Sequence, residues 1–385
     1  MTAQSLLMRQ AKGHQIAAIE GAVTRIDENT YHVRSQSGNG IYVVTWTNNG
    51  WNCTCPDFSY RSVRCKHIHA CFLSKTIRRE VQLQTIEPIL SLVCPTCGTK
   101  DKIVRHGKRR TSFGEIQRYF CKTCAKWFVH NLGFERMKAS PQAITESMQL
   151  YFSGESLRNV QKFLRLQGVN VSHVAIYKWT RKYVNLMEHY LAKITPQVGE
   201  VWRADELFLK VKGNMKYLYA VMDDETRFWI AKEVASTKYT ADVRPLFAKS
   251  KIFAQKSPTF LITDGAQNFH DAFNKELRTS RYNSPRHIQD IRMEGRIHNN
   301  KMERMNGEIR DREKVVRGVK REDSPLLTGL QIYHNFVRPH EALNGKTPAE
   351  VAGINILGKN KWLTIIQNAS QNLCRIENGK VEVEK

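Results

Sequence analysis

Four two-ligand pairs crowd the first third of this 385-residue chain: Cys53 and Cys55, Cys65 and His67, Cys94 and Cys97, Cys121 and Cys124. No other feature restricts its folding as much. Two soft ligands one or two residues apart can present both atoms to a single ion, and four such ligands close a tetrahedral Zn²⁺ site. The first two pairs, in "WNCTCPDFSYRSVRCKHIHAC", are separated by nine residues, with His69 and Cys71 standing nearby as spares. The second two, in "CPTCG" and "YFCKTCAKWF", are CxxC knuckles 23 residues apart, a zinc-ribbon pattern. Nine cysteines arranged this way in a long, lysine-rich chain suit zinc in a reducing compartment, not a disulfide scaffold.

Charge narrows the partner. A formal net charge of +24 points to a polyanion, and nucleic acid is the foremost candidate. No stretch approaches the roughly 18 apolar residues of a spanning helix, and "MTAQSLLMRQAKGHQ" has no long apolar signal core, so no membrane partner is expected. Between the CxxC pairs lies the basic hairpin "KDKIVRHGKRRTSFGEIQR", where Arg109 and Arg110 are expected to meet DNA phosphates.

Residues 5 to 23 read as a short amphipathic helix and residues 30 to 47 as a hairpin. Residues 140 to 190 read as three helices opened by Ser140, Ser156 and Ser172, the second with Leu157, Val160, Phe163 and Leu164 on one face. The last two helices, joined by "QGVN", suggest a helix-turn-helix. Its second helix would offer His173, Tyr177, Lys178 and Arg181 to DNA and keep Val174, Ile176 and Trp179 in the core.

From residue 200 strands alternate with helices. "EVWRADELFLKV" and "MKYLYAVMDDETRFWIAKEVA" read as three antiparallel strands, followed by the helix "TADVRPLFAKSKI", the buried strand "PTFLITDG" and the helix "AQNFHDAFNKEL". This is the element order of a ribonuclease-H-like α/β domain. Asp205 sits inside an apolar strand, where an unpaired charge is expensive to bury, and Asp264 ends another. In the helix "HNNKMERMNGEIRDR", Met302, Met305, Ile309 and Val316 share one stripe at 100° per residue. Asn299, Glu303, Asn306 and Arg310 share the stripe beside it, within roughly 60° of one another. Glu308 lies on the far side, with Arg304 and Arg312 four residues before and after as its partners. Glu303 is therefore the third carboxylate able to meet Asp205 and Asp264. Three converging carboxylates suit Mg²⁺ or Mn²⁺ and in-line phosphoryl displacement.

The CxC…CxH spacing resembles a SWIM-type zinc finger. Residues 140 to 355 resemble a DDE transposase with a retroviral-integrase-like core, of the IS-six type of insertion-sequence transposases. "VSHVAIYKW", "WRADE", "YLYAVMD", "TDG" and "NNKME" carry that likeness, together with the ending "YHNFVRPHEALNGKTPAEVAG". The resemblance implies that Asp205, Asp264 and Glu303 hold the catalytic metals and that Arg310 contacts DNA near them.

The expected organisation is a multidomain α/β protein: a SWIM-type finger over 1–80, a zinc ribbon over 90–132, a helix-turn-helix over 138–192, a ribonuclease-H-like core with a mixed five-stranded sheet over 198–355, and a tail over 356–385 in which Cys374 is an isolated thiol. The expected function is transposition. The protein would bind double-stranded transposon ends and target DNA, as a homodimer or higher oligomer, in the nucleoid of a prokaryotic cytoplasm. The alternatives are a domesticated regulator that binds DNA without cutting it and a plain ribonuclease-H-like nuclease.

Overall fold

The computed structural model describes the chain apart from residues 1–2, 18, 20–21, 27–29, 37, 39, 48–49, 79–83, 90–91, 112–113, 131, 136, 280–283, 290–299, 322–323 and 379–385. It divides into two compact units, residues 1–83 and 84–385.

In the first unit, the helices Ala3–Ala17 and Lys66–Arg78 accompany an antiparallel sheet of four strands in sequential order. The expected hairpin is its middle pair, Thr30–Arg34 with Ile41–Thr47, and the first helix stops at Ala17, short of residue 23. Apolar side chains alternate inward along these strands, burying Tyr31, Val33 and Val44 against Ile16 and Ile68. Gly13 lets the two helices approach closely, because a Cβ there would stand 2.6 Å from the Cβ of His69.

The second unit opens with a three-stranded antiparallel sheet, Ile103–Thr111, Gly114–Cys121 and Lys126–Val129. Three helices follow: Pro141–Ser153, Leu157–Leu166 and His173–Leu191. Their capping serines 140, 156 and 172 each accept a backbone N–H three residues on, from Ala143, Asn159 and Ala175.

The core that follows is labelled in chain order: β1 Val201–Val211, β2 Asn214–Asp223, β3 Trp229–Ala235, α1 Thr240–Ala254, β4 Phe260–Ile262, α2 Gln267–Glu276, β5 Arg286–Ile288 and α3 Asn300–Val316. The sheet order is β3-β2-β1-β4-β5, with the first three strands antiparallel and β4 parallel to both β1 and β5. This is the mixed five-stranded sheet of a ribonuclease-H-like domain.

Residues 356–378 are not a tail. Strand Ile354–Ile356 pairs in parallel with Gln84–Ile86, and the helix Lys361–Asn378 buries Trp362, Ile365, Ile366 and Ala369 in the same hydrophobic core as the sheet. Trp362 stacks on Phe152 at 5.6 Å and its Nε1 donates to Gln149 Oε1 at 2.9 Å. The helix draws its partners from distant parts of the chain, Gln149 and Phe152 more than 200 residues earlier and Tyr333 nearer by. The Cys374 side chain lies outside the described residues.

Candidate active site and metal clusters

β1 and β4 run parallel with Ile262 opposite Arg203. Carrying that register two residues further sets Asp264, just past the end of β4, level with Asp205 in the middle of β1. The electrostatics agree. Burial pushes the Asp205 carboxyl up to about 6, the backbone N–H of Glu206 opposes this, and the nearby charge of Asp264 adds to the rise. Asp264 is exposed and its Oδ1 accepts the backbone N–H of Ala266 at 3.1 Å. Its neighbour must be glycine: Gly265 has φ +89°, and a Cβ there would come within 2.9 Å of Gln289 O.

α3 packs along β1 with Met302, Met305 and Ile309 buried, as the stripe requires. Asn306, on the adjoining stripe, donates from Nδ2 to Asp205 Oδ2 at 2.9 Å. Glu303 stands one turn earlier and is exposed, as is Arg310. Among the described residues, Asp205, Asp264 and Glu303 do not form a group with ligand atoms all within 4.8 Å. The fold therefore joins the two strand acids and sets Glu303 beside the residue that bonds the first. Asn299 falls outside the described residues.

One expectation for α3 is corrected. Arg312 does not serve Glu308: it is buried, lies over the Tyr151 ring at 4.3 Å and donates from Nη2 to Glu155 O at 2.8 Å. Glu308 pairs instead with Arg338. A guanidinium that can lie on an aromatic face is more weakly hydrated than an ammonium, so inward packing competes with a surface pair.

The anchor of α3 was not legible in the sequence. Lys301 Nζ donates to Asp224 Oδ1 and to Asp224 O, both at 2.8 Å, and Arg203 Nε donates to Asp224 Oδ1 at 2.5 Å. Burial pushes Asp224 up, and the two cations overcome this and hold its carboxyl below the ordinary range. The signal was present as "DDET" and "NNKME", but nothing local pairs those segments.

The zinc-ligand expectations gather as two groups. The ligand atoms of Cys53, Cys55, Cys65 and His67 lie within 4.8 Å of one another, as do those of Cys94, Cys97, Cys121 and Cys124. His67 Nδ1 is 3.9 Å from both Cys53 Sγ and Cys65 Sγ. In the second group Cys94–Cys124 and Cys97–Cys121 have Sγ separations of 3.5 and 3.6 Å. A tetrahedron with Zn–S near 2.3 Å has edges of about 3.8 Å, so the second set is close to those edges and the first, with its sulfur–nitrogen separations of 3.9 Å, has the donors and the spacing to close on the same ion. His69 and Cys71 are buried outside the group.

In helix His173–Leu191 the buried positions are Ile176, Trp179, Thr180, Tyr183, Val184, Met187 and Leu191. Val174, expected in the core, is 50 % exposed, because it lies about 200° around the helix from Ile176. Lys178 is exposed, and His173, Tyr177 and Arg181 are half-buried. Phe163 of the preceding helix is likewise exposed, while Val160 and Leu164 are buried. Arg109 and Arg110 are exposed on the long strand of the ribbon.

If the two strand acids bind a divalent cation, protons must compete with it. Asp205 holds its proton up to about 6, so Mg²⁺ or Mn²⁺ affinity is expected to rise with pH through that value and level off above it. Titration calorimetry from about pH 5 to pH 8 measures this. Asn306→Ala removes a donor that favours the ionised form, so the rise moves to higher pH. An unshifted curve would disprove the contribution of Asn306.

Two family models match parts of this chain. Residues 199–340 match the model of a DDE domain, and residues 42–75 match that of the SWIM zinc finger. The transposase for insertion sequence-like element IS431mec of Staphylococcus aureus is 30% identical over 126 residues, 32% of this chain and 54% of the relative. The transposase for insertion sequence element IS257 in transposon Tn4003, also of Staphylococcus aureus, gives the same identity and coverage. The chain thus spans about half the length of the curated relatives it matches. Among solved structures, the HTLV-2 integrase catalytic core domain in complex with magnesium covers 41% of this chain and 98% of its own, at 16% identity and a TM-score of 0.30. The simian T-cell lymphotropic virus intasome covers 52% and 72%, at 12% identity and a TM-score of 0.31. The two strand acids stand level on adjoining parallel strands inside the region that matches the DDE domain, and the match to the SWIM zinc finger precedes it in the chain.

Proposed function

We propose that this protein is a transposase that binds the terminal repeats of an insertion sequence, cuts DNA there and joins the freed end to a target. The observation that carries the reading is the level pairing of Asp205 with Asp264 inside the DDE match. Asp205, Asp264 and Glu303 are the residues to hold Mg²⁺ or Mn²⁺. Their fit rests on donor chemistry: two hard carboxylates side by side, one of them half-buried and raised by burial and its neighbour. When bound, such ions lower the barrier for both the attacking and the leaving oxygen of an in-line displacement.

The chain's own residues then divide the work. Asn306 orients Asp205, the Lys301–Asp224–Arg203 contacts fix the start of the helix that carries Glu303, and Arg310 is placed to steady the DNA backbone. Hydrolysis of one phosphodiester frees a 3′-OH, which attacks a target phosphate with no covalent protein intermediate. The two cysteine groups are structural zinc sites, in a finger over 1–80 and a ribbon over 90–132. The helix-turn-helix over 138–192 and the core over 198–355 complete the domain assignment. Partners are double-stranded ends and target DNA, engaged as a homodimer or higher oligomer at the nucleoid of a bacterial cytoplasm. The test is a metal-dependent strand-transfer assay with the DNA flanking the protein's own gene. End binding without cleavage would instead support a regulator derived from such an enzyme.

The readout of DNA divides between two surfaces. Tyr177 and Lys178 lie on the helix that opens at Ser172, where base edges are read, so their replacement by alanine is expected to lower the preference for ends over random DNA. Neutralising Arg109 and Arg110 is expected to weaken binding to every sequence alike and to flatten the salt dependence by roughly 0.9 for each phosphate no longer neutralised. Competition binding over a salt series measures both. The roles must be exchanged if the arginine pair changes sequence preference and the helix pair changes only the slope.

A further inference from the structure

One face of the ribbon sheet carries aromatic rings that the zinc site does not use. Phe120 and Trp127 are direct cross-strand partners, with ring centroids 4.5 Å apart. Arg118, two residues back on the same strand face, holds its guanidinium over the Trp127 ring at 5.1 Å. The third member comes from an irregularity. The register of Ile103–Thr111 shifts between Arg105 and Lys108, with Gly107 at φ +62°, and this re-aims His106 to meet Trp127 edge-on at 3.9 Å. Tyr119 and Phe128, on the opposite face, stack on each other at 5.8 Å. Trp127 nevertheless remains 44 % exposed. The indole is thus braced by three neighbours, Phe120, Arg118 and His106, and still open to water.

Charge decides the occupant. From Lys100 to Lys126 the segment carries nine Lys or Arg against two Asp or Glu. A braced aromatic ring inside a dense positive field is the combination that holds unpaired nucleic acid, with bases stacked on the ring and phosphates on the cations. Duplex DNA cannot use it, since its bases present only their edges in the grooves. We propose that Trp127, with His106, Phe120 and Arg118, forms a stacking platform for an unpaired DNA base, so that the ribbon grips a frayed or single-stranded end. The proposal rests on the reading of this chain as a DNA-binding protein. Its ligand differs from the duplex assigned to Arg109, Arg110 and the helix-turn-helix. Cleavage at an element's end creates free strand ends, and a platform of this kind would retain one of them.

The test uses the full zinc-loaded chain and compares a blunt duplex with the same duplex bearing about eight unpaired thymidines. The tail is expected to tighten binding by roughly tenfold, the scale of one or two stacked bases. Trp127→Ala should erase that gain while leaving duplex affinity and salt slope unchanged, and Trp127→Phe should keep most of it. Neutralising Arg109 and Arg110 should weaken both DNAs alike. If duplex binds and the tail adds nothing, or if Trp127→Ala keeps the gain, the platform is wrong and the DNA-binding reading survives. If neither DNA binds, that reading itself fails. Should Trp127→Ala lose its zinc, quenching of the wild-type indole fluorescence by tailed but not blunt duplex, absent in Trp127→Phe, decides the matter.

Discussion

Asp205→Asn and Asp264→Asn are each expected to lower DNA cleavage and strand transfer by at least about a thousandfold, with end binding nearly intact. Losing one ligand of a metal site removes several kcal/mol of transition-state stabilisation, and about 4 kcal/mol is already a factor of a thousand. Asparagine keeps the shape and, at Asp205, its single amide oxygen can still accept from either the Nδ2 of Asn306 or the N–H of Glu206, so the fold should survive with one of these two bonds lost. Glu303→Gln is expected to match them. Glu308→Gln is expected to stay active, because Glu308 pairs with Arg338 at the surface and such pairs contribute roughly 1 kcal/mol or less. Cleavage of a labelled end fragment, with binding measured on the same preparations, reads all four. An active Glu303→Gln beside an inactive Glu308→Gln would overturn the assignment of the third acid.

Removal of zinc should have the largest effect on stability. Metal analysis of the purified chain is expected to find about two zinc atoms, and structural zinc contributes on the order of 10 kcal/mol per site in isolated fingers. Cys65 is one of the four ligands gathered in the first group. A hydrogen bond from Cys53 holds its thiol down to about 4 against the burial that would raise it, and His67 adds to the effect. That same bond, with burial, pushes Cys53 up. Because Cys65 is a ligand and these cysteines sit in the buried core of residues 1–83, Cys65→Ser should lose one zinc and unfold that unit. Cys121→Ser should lose the other and leave the first unit folded. Thermal melting with metal analysis of each variant checks this. One zinc in the wild type would remove a site, and an iron–sulfur chromophore would remove both.

The sequence alone determined whatever depends on spacing within a few residues. The CxC, CxH and CxxC pairs meet because covalent geometry leaves them little choice. Ser140, Ser156 and Ser172 cap their helices because an N-cap needs only the N–H three residues on. Met302, Met305 and Ile309 turn inward because 3.6 residues per turn puts them on one line. Even the likeness of Asp205 and Asp264 to a paired site was legible, since each closes or interrupts an apolar strand.

Tertiary structure decided which of several available partners each side chain took. Arg312 left Glu308 for Tyr151 and the carbonyl of Glu155, a partner 157 positions away, and Arg338 replaced it. Val174 turned outward because the core met the helix along Ile176, Trp179 and Tyr183. Asn306 joined Asp205 across 101 positions, and Lys301 joined Asp224 across 77. The helix Lys361–Asn378 became core by packing against distant residues such as Gln149, Phe152 and Tyr333. Periodicity fixes the direction in which a side chain points, but only packing brings the second surface to it, and competing partners of similar local merit are separated by burial that no short window contains.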